Sequence, residues 1–300
     1  MKCKVCGNEA AVSLKSHNAA FCETHFLSFF RRQLEKGIEK FKLFTPDDKI
    51  LVALSGGKDS LSLILELSEL GYNVSGLFID LAIPDSSDKA KDFVRKFCDR
   101  NDIKLIVVNL ADEGLPIPEI HKKLRRPVCS VCGKIKRHYF NKITLEQGFD
   151  VLATGHNLDD ECSRLFSNVL RWDNDYLSDQ GPALPATPLF ARKVKPLWRL
   201  SEFETACYAF LRDIPHFKSA CPFSGGASFT GLKGVMQSLE NLMPGKKLDF
   251  YQNFLKNGRK NFSPSLKKED ELKPCKNCGK PSMGMDLCGI CRIRKQLAQE

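Results

Sequence analysis

The chain has 300 residues, of which 42% are hydrophobic and 27% charged, and a formal net charge of +10. This length suffices for one large domain with small appendages, and the charge favours a polyanionic partner. No apolar leader follows Met1 and no apolar run reaches about 18 residues, so we expect a cytoplasmic protein without membrane spans. Thirteen cysteines in a reducing compartment favour metal or redox chemistry over disulfides.

Two ligand pairs open the chain, Cys3-x2-Cys6 and Cys22-x2-His25. The three thiolates and the imidazole can together form one tetrahedral zinc site. The alternative is that the cysteines are free thiols and the histidine lies on the surface. We therefore predict a zinc knuckle over residues 1–25. A helix from Phe26 to Phe44 has apolar residues on roughly one face and predicts a linking element over residues 26–46.

Strands and helices alternate in the next part of the chain. The predicted strands are Ile50–Leu54, Val74–Ile79, Lys104–Asn109 and Asp150–Ala153. The predicted helices are Ser60–Leu70, Ser86–Arg100 and one around Gly133–Glu146. This alternation predicts an α/β fold with a doubly wound parallel sheet, Rossmann-like, spanning residues 47–200.

The turn after the first strand reads Ser55-Gly56-Gly57-Lys58-Asp59-Ser60. Glycines let backbone N–H groups point at a ligand, the new helix N-terminus attracts an anion, and Lys58 adds a full positive charge, so we expect a phosphate guest. The blander alternative is a Gly-Gly turn before a core helix. The spacing differs from the Walker loop. It resembles the PP-loop of ATP pyrophosphatases, which implies ATP binding, adenylation of a substrate and release of pyrophosphate.

Ligands of such sheets bind at the carboxyl ends of the strands, so residues that follow three of the strands should share one crevice. They are Ser55–Ser60, Phe78–Asp80 and Thr154–Asp160. We assign Phe78, Asp80, Gly155, His156 and Asp160 to the ATP site. Asn157 or Asp159 could cap the following helix. Asp159 or Asp160 is read as a magnesium or positioning residue, and a packed His156 is the alternative to an acid–base group.

The segment from His121 to Lys142 contains eight Lys or Arg and no Asp or Glu. A basic run of this kind is either a solvated surface or a nucleic-acid contact. The residues assigned to nucleic-acid binding are Lys122, Lys123, Arg125, Arg126 and Arg137.

A further pair, Cys129-x2-Cys132, lies in what reads as a loop before the fourth strand. Such a pair is ambiguous between zinc, a redox dithiol and cluster ligation. Cys98 and Cys207 sit in amphipathic helices and read as core thiols. Cys221 lies in a loop, so Cys129, Cys132 and Cys221 form a candidate set of three ligands that leaves a fourth position open on an iron–sulfur cluster or a metal.

The remainder of the chain reads as helices followed by a metal ribbon. Residues 182–196 read as a proline-rich connection. Helices are predicted over Ser201–Arg212, Leu232–Leu242 and Lys246–Asn257, a lobe spanning residues 201–260. Residues 261–300 form a linker and then the four-cysteine zinc ribbon of Cys275, Cys278, Cys288 and Cys291, flanked by Lys and Arg.

Taken in chain order, these motifs resemble the tRNA 2-thiouridine synthetases of the TtuA group, relatives of the TtcA thiolases. The resemblance covers essentially the whole chain, from the N-terminal zinc knuckle through the PP-loop, the central Cys-x2-Cys and the later Cys-Pro-x-Ser to the zinc ribbon. It implies ATP with Mg²⁺ at the PP-loop and a [4Fe–4S] cluster on Cys129, Cys132 and Cys221. It also implies a catalytic pair, Asp59 and Lys136, with Lys58 beside them.

The implied activity is tRNA thiolation: ATP adenylates the C2 oxygen of a uridine, and sulfur replaces that oxygen. The resemblance favours a T-loop uridine, a ubiquitin-like thiocarboxylate protein or free sulfide as sulfur donor, and a homodimer. Cys162 falls where relatives have a small apolar residue. Three alternatives stay open: a wobble-uridine thiolase, a different PP-loop adenylating enzyme whose three cysteines bind zinc, and a nucleic-acid adaptor with a relic nucleotide site.

Overall fold

The structure is a computed structural model that describes residues 1–124, 126–216, 221–223, 229–263, 272–283 and 285–298. Its N-terminal module is a short antiparallel hairpin followed by a long helix, namely β1 (Val12–Leu14), β2 (Ala19–Phe21) and α1 (Glu23–Phe41). The predicted start of this helix at Phe26 was three residues late. Cys22 is its N-cap residue, so His25 lies in the first helical turn and its ring is held by the helix rather than by a loop.

The next elements alternate as predicted. They are β3 (Ile50–Leu54), α2 (Lys58–Glu69), β4 (Val74–Asp80), α3 (Ser86–Arg100), β5 (Leu105–Asn109), α4 (Ile117–Lys123), α5 (Val128–Glu146), β6 (Val151–Thr154), α6 (Leu158–Arg171) and α7 (Asn174–Ser178). Helix α4 was not predicted. Helix α5 begins five residues earlier than expected, which places the central cysteine pair in its first turn instead of in a loop.

The main sheet has six strands in the order β5-β4-β3-β6-β8-β7. Its two last strands, β7 (Ala183–Leu184) and β8 (Arg192–Val194), lie in the segment that the sequence had suggested was only a connection. All neighbours are parallel except β7 and β8. The register pairs Leu54 with Phe78 and Ala53 with Thr154, so the three loops predicted to share a crevice leave the sheet at one edge.

Successive residues of the central strands enter two different cores, as the two-residue period of a strand requires. Ile50, Val52 and Leu54 pack with α1, α2, α3, α6 and α8 on one face of the sheet. Leu51 and Leu152 pack on the other face with α4, α5 and the last helix of the chain. Helices therefore cover both faces, and the predicted doubly wound parallel sheet is confirmed.

The C-terminal part contains the predicted helical lobe and ribbon. Its elements are α8 (Glu202–Leu211), α9 (Phe229–Leu242), α10 (Lys246–Asn253), β9 (Leu272–Pro274), β10 (Pro281–Met283) and α11 (Gly289–Ala298). After α10 the chain continues through a π-helical turn, Phe254–Gly258. None of the helices in the described ranges combines the length and the apolar character that a bilayer span requires.

Candidate functional site

The turn between β3 and α2 is a compact loop held by its own hydroxyls. Gly56 has a φ of 80°, a conformation that favours glycine. The hydroxyl of Ser60 accepts from the N–H of Ser55 at 3.2 Å and donates to the carbonyl of Gly57 at 3.0 Å. The hydroxyl of Ser55 accepts from the N–H of Gly57 at 3.2 Å. The loop is therefore pre-shaped, and it opens into the N-terminus of α2, where an anion is stabilised.

The loop after β6 packs directly behind this turn. A Cβ atom built on Gly155 would lie 2.8 Å from the backbone nitrogen of Ser60. The close approach that we predicted at Gly155 is thus made with the backbone of the phosphate loop. Asn157 then caps α6 in a capping box with Asp160, which confirms one of the two predicted caps.

Lys58 lies in a network of charges at the mouth of the loop. Its ammonium is 3.2 Å from Asp59 Oδ2 and 3.3 Å from Glu202 Oε1, the first residue of α8. The hydroxyl of Thr205 donates to the other oxygen of Asp59. Asp59 is consequently fixed between a cation and a hydroxyl, and Lys58 is held in the cleft by carboxylates from two helices.

Lys233 of α9 is a second cation in this network. Its ammonium is 2.7 Å from Asp160 Oδ1 and 3.0 Å from Glu202 Oε2, so Glu202 is shared by Lys58 and Lys233. Burial raises the pKa of Asp160, but the nearby charge of Lys233 outweighs it and holds that pKa below its usual value. For Lys233, burial acts to lower the pKa, and Asp160 and Glu202 together raise it above its usual value. Both partners are therefore charged at neutral pH.

The two neighbouring aspartates of α6 have different surroundings. Asp159 is buried, its Oδ1 accepts from the buried ammonium of Lys247 at 2.5 Å, and its Oδ2 accepts from the N–H of Glu202 at 2.7 Å. Asp160 instead faces the network around Lys58. Asp159 thus fixes the N-terminus of α8, and Asp160 is the carboxylate that could meet a magnesium ion bound with nucleotide.

The remaining residues assigned to ATP line the same edge of the sheet. Phe78 is buried at the end of β4. The carboxylate of Asp80 accepts from the N–H of Ala82 and from Lys91, each at 2.9 Å, and so shapes the turn after β4. The side chain of His156 is exposed, and its Nδ1 is 2.8 Å from the hydroxyl of Thr154.

The candidate set of three cysteines converges at the N-terminus of α5. The thiol of Cys129 is 3.6 Å from the carbonyl oxygen of Phe223, two residues after Cys221. The pKa of Cys132 is raised above its usual value, mainly by burial and further by the nearby Cys221 and Cys129. The positive charge of Lys136 acts in the opposite direction without outweighing them. Cys221 is therefore brought from a distant part of the chain to the Cys129–Cys132 pair, with Lys136 one turn further along α5.

Helix α5 leads into the first residue of β6, so its last turn lies at the amino edge of the sheet and its first turn at the carboxyl edge. The phosphate loop leaves β3 at this same carboxyl edge. The arrangement therefore places the three thiols and the phosphate loop at one edge of one sheet, where ligands of doubly wound folds bind.

Two other groups of ligands are much tighter. All ligand atoms of Cys3, Cys6, Cys22 and His25 lie within 4.8 Å of one another, and the same holds for Cys275, Cys278, Cys288 and Cys291. Cys6 and Cys22 are 3.8 Å apart, and Cys278 and Cys288 are 3.7 Å apart, sulfur to sulfur. A tetrahedral zinc ion with bonds of about 2.3 Å separates its sulfurs by about 3.8 Å. Both quartets therefore fit zinc in donor type and in spacing.

Within the described ranges, the thiols of Cys129, Cys132 and Cys221 do not belong to any group this tight. A cluster of several iron atoms needs its cysteine ligands further apart than a single ion does, and three thiolates leave one iron without a protein ligand. The set consequently fits a cluster better than a closed structural zinc site.

The C-terminal ribbon packs against the helix that carries the cysteine pair. Arg294 donates to Glu113 and Tyr139, each at 3.1 Å, and Lys280 pairs with Glu146 at 3.1 Å. Three of the ribbon cysteines are buried in the same core as α5. The N-terminal quartet lies instead beside α1, and His17 of its module pairs with Glu204 of α8 at 2.9 Å.

Of the basic residues assigned to nucleic acid, Lys122 and Lys123 lie on α4, Arg126 lies between α4 and α5, and Arg137 lies in the middle of α5. Lys122, Arg126 and Arg137 are exposed, and Arg125 lies outside the described residues. The ammonium of Lys123 donates to the carbonyl of Leu297 at 2.8 Å and so caps α11.

The three other cysteines are not placed with the cluster set. Cys98 is fully buried in the core, as predicted, and Cys207 of α8 is half-buried. Cys162 is fully buried, its thiol donates to the carbonyl of Lys247 at 3.2 Å, and burial raises its pKa. Cys162 is thus a core thiol without access to solvent.

Sequence reasoning missed Glu202, Thr205, Lys233 and Lys247. Each lies in the helical lobe, and the contacts of Glu202 with Lys58 and of Lys247 with Asp159 span 144 and 88 residues. Only the Ser201 capping box, which places Glu202 at the start of α8, leaves a local signal.

Comparison with known proteins gives the following similarities. Residues 2–27 match the model of the 2-thiouridine synthetase TtuA N-terminal LIM domain, and residues 26–175 match the PP-loop domain. The chain is 42% identical to the tRNA-5-methyluridine(54) 2-sulfurtransferase of Pyrococcus horikoshii, covering 98% of this chain and 93% of that protein. It is 43% identical to the protein of the same name from Thermotoga maritima, covering 99% and 97%.

A solved structure is also similar. The U34-tRNA thiolase NcsA from Methanococcus maripaludis, determined with its [4Fe–4S] cluster, superposes with a TM-score of 0.79 at 26% identity, covering 99% of this chain and 96% of that one.

Proposed function

The chain belongs to the TtuA family of PP-loop 2-thiouridine synthetases, and on this premise we propose that it is the ATP-dependent 2-sulfurtransferase of a tRNA T-loop uridine, position 54. The observation that carries the proposal is the placement of a phosphate loop and three convergent thiols at one edge of the sheet. The phosphate loop would serve adenylation and the three cysteines would serve sulfur delivery, and both lie at the same edge of the sheet.

The first step activates a poor leaving group. The C2 oxygen of the uridine attacks the α-phosphate of ATP, pyrophosphate leaves, and the oxygen is then bound to AMP. The N–H groups of Gly56 and Gly57, the N-terminus of α2 and the ammonium of Lys58 stabilise the charge that develops on the phosphates. Mg²⁺ bound with the nucleotide would be met by Asp160, the half-buried carboxylate of the α6 pair that faces Lys58 and Lys233.

The second step replaces oxygen by sulfur. A [4Fe–4S] cluster on Cys129, Cys132 and Cys221, with one iron free of protein ligands, would supply the sulfide that adds to C2. AMP then departs with the former C2 oxygen, so the overall exchange needs no net oxidation or reduction. The ammonium of Lys136, one turn from Cys132, provides positive charge where the anionic sulfur and the departing phosphate meet.

Asp59 acts on this chemistry through its position. It is held by Lys58 on one side and by Thr205 on the other, so its carboxylate can orient Lys58 or a magnesium ion at the phosphates. In this proposal Asp59 acts at the nucleotide and Lys136 acts at the thiols.

Zinc has a structural role in this proposal. Each quartet offers four protein ligands, which leaves no position for substrate. Three exposed cations flank the cysteine pair in the chain, namely Lys122 of α4, Arg126 between α4 and α5, and Arg137 of α5, and they would bind the tRNA backbone. A ubiquitin-like thiocarboxylate protein or free sulfide would supply the sulfur for each turnover. The proposed assembly is a homodimer, and the proposed location is the cytoplasm.

The choice of uridine rests on the relatives. Proteins 42–43% identical over nearly the whole chain carry the number 54 in their names, whereas the wobble-position thiolase NcsA is 26% identical. The match of residues 2–27 to the N-terminal domain of TtuA supports the same choice.

The test is thiolation by protein purified without oxygen. The protein is incubated with ATP, Mg²⁺, sulfide and an unmodified tRNA transcript, and the nucleosides are analysed by mass spectrometry. We expect 2-thiouridine in the fragment with position 54 and none in the anticodon fragment, together with AMP and pyrophosphate. Lys58→Ala should abolish the product. Thiolation at position 34 would refute the choice of uridine, and thiolation by Lys58→Ala would refute the adenylation step.

A further inference from the structure

A cavity of about 500 Å³ opens beside Lys58, between α8 and the segment that follows it. Its walls are one side of α8 (Ala206, Ala209 and Phe210) and the segment that follows this helix, Asp213 to His216. The volume is within the range of about 300–1,000 Å³ of small-ligand sites. Apart from Lys58, none of its lining residues belongs to the phosphate loop or to the two zinc quartets.

Phe210 is the unusual residue of the wall. It lines the cavity, yet 81% of its surface is exposed, more than the 58% of Phe203 two turns earlier on the same helix. Exposing an aromatic ring costs free energy unless a ligand covers it. A flat aromatic face beside small Ala206 and Ala209 is a platform on which a planar ring can stack.

The position of the cavity points to the kind of ligand. Its lining joins Lys58 of the phosphate loop to the segment from Asp213 to His216. The base that is adenylated and then thiolated must reach both the α-phosphate and the thiols. A ring stacked on Phe210 would share one cavity with the ammonium of Lys58, which meets the phosphates in the proposed reaction.

The rim carries groups that suit a pyrimidine edge. Asp213, with a φ of 46°, offers a carboxylate, and His216 offers an imidazole whose Nδ1 is 3.3 Å from the carbonyl of Ile214. The carboxylate of Asp213 can accept from the N3–H of uracil, and the imidazole, whose Nδ1–H faces that carbonyl, offers Nε2 as a second acceptor. Sulfur adds to C2 from one face of the ring, so the base must leave the tRNA stack, in which both faces are covered; stacking on Phe210 leaves the other face open.

We propose that this cavity receives the everted target uridine of the tRNA and that Phe210 is the ring on which its base stacks. The inference rests on the proposed function and adds to it the place where the substrate base is bound. Phe210 is thereby a specificity-determining residue for the base, separate from the ATP loop and from the thiols.

The experiment compares Phe210→Ala with Phe203→Ala, a matched control on the same helix that does not line the cavity. In single-turnover thiolation at saturating ATP, Phe210→Ala should lower the rate at subsaturating tRNA by roughly ten- to a hundredfold, the range for one stacked base. Phe210→Trp should restore most of it, and Phe203→Ala should match the wild type. ATP affinity and iron content should be the same in all four proteins.

A second arm removes the base itself. The wild type should bind a tRNA that is abasic at the target position as weakly as Phe210→Ala binds the intact tRNA, and Phe210→Ala should bind both tRNAs equally. Equal thiolation by Phe210→Ala and Phe203→Ala, or a loss of ATP affinity in Phe210→Ala, would overturn the inference while leaving the proposed function in place. A wild-type protein that makes no 2-thiouridine would overturn both.

Discussion

Gly155 and Ser60 are packed backbone against backbone: a Cβ atom on Gly155 would lie 2.8 Å from the nitrogen of Ser60 and 2.9 Å from its Cα. Contacts this short are not relieved by rotating a side chain, because both atoms belong to the main chain. The loop after β6 therefore sets the position of the first turn of α2.

We expect Gly155→Ala to push the start of α2 outward. The overpacking should lower the free energy of unfolding by about 1–3 kcal/mol and should weaken ATP binding, since the phosphate loop moves with Ser60. Urea unfolding and calorimetric titration with ATP measure both effects. Gly234→Ala is the matched control: nothing lies within 4 Å of its Cβ position in α9, so helix propensity should stabilise it by up to about 1 kcal/mol. A Gly155→Ala protein with unchanged ATP affinity would contradict this reasoning.

Glu202 and Lys233 should affect ATP binding in opposite directions. Glu202 competes with phosphate for Lys58, whereas Lys233 neutralises Glu202. Glu202→Gln should therefore bind ATP more tightly and Lys233→Met more weakly, each by roughly two- to fivefold, as expected for partly exposed ion pairs. Lys246→Met, which breaks an exposed pair with Asp249, should leave the affinity unchanged. Changes of the same sign in the two variants would rule out the competition.

Cys221 should be required for iron. Cys221→Ser removes one of three cluster ligands. The variant purified without oxygen should therefore lose most of its iron, and with it the absorption of the cluster at the blue end of the visible spectrum. Its zinc content should stay at two ions per chain. Cys207→Ser, which changes a half-buried thiol of α8, should keep its iron. Iron retained by Cys221→Ser at the wild-type level would exclude this residue from the ligand set.

The two zinc quartets should differ in their effect on the cluster. Cys278→Ser opens the ribbon that packs on α5, and so it should lose one zinc ion and much of the iron. Cys6→Ser opens the quartet beside α1 and should lose one zinc ion only. Metal analysis of both proteins decides the matter: equal iron in the two variants would mean that the ribbon does not support α5.

Three exposed cations should account for part of the tRNA affinity. Replacing Lys122, Arg126 and Arg137 together by Ala should weaken tRNA binding and reduce the slope of log K against log salt by about 2–3, close to one unit per lost phosphate contact. The control removes Lys89, Arg95 and Lys96, which are exposed on α3. That helix packs in the other core, on the opposite face of the sheet. A larger effect from the α3 variant would place the tRNA on that face instead.

Local signals in the sequence were enough to predict the bounds of those strands and helices that have a clear hydrophobic pattern. The strand Ile50–Leu54 and the helix Ser86–Arg100 have the predicted bounds, since an apolar run and an amphipathic repeat define them. The cysteine pair was wrongly placed in a loop because the helix was predicted to begin only around Gly133. A proline is well suited to the residues just before a helix interior, and Pro127 is in fact the N-cap of α5.

The charged network around Lys58 could not be predicted in the same way. Glu202 and Lys233 are ordinary charged residues of amphipathic helices, and nothing in their neighbours marks them for a contact with the phosphate loop. Strand β8 was missed because its three residues, Arg192 to Val194, include two cations and become a strand only by pairing with β6.

The ribbon has one more consequence, for the order in which the protein can be made. The core beneath α5 includes Leu51 from the first strand of the sheet and Ile293 from the last helix of the chain. Ile293 leaves the ribosome long after Leu51, so this core cannot close until α11 has been made, whereas α2 and α3 can pack on the other face of the sheet earlier. Iron delivered before α11 is made would reach cysteines on a helix, α5, that is not yet packed against the ribbon.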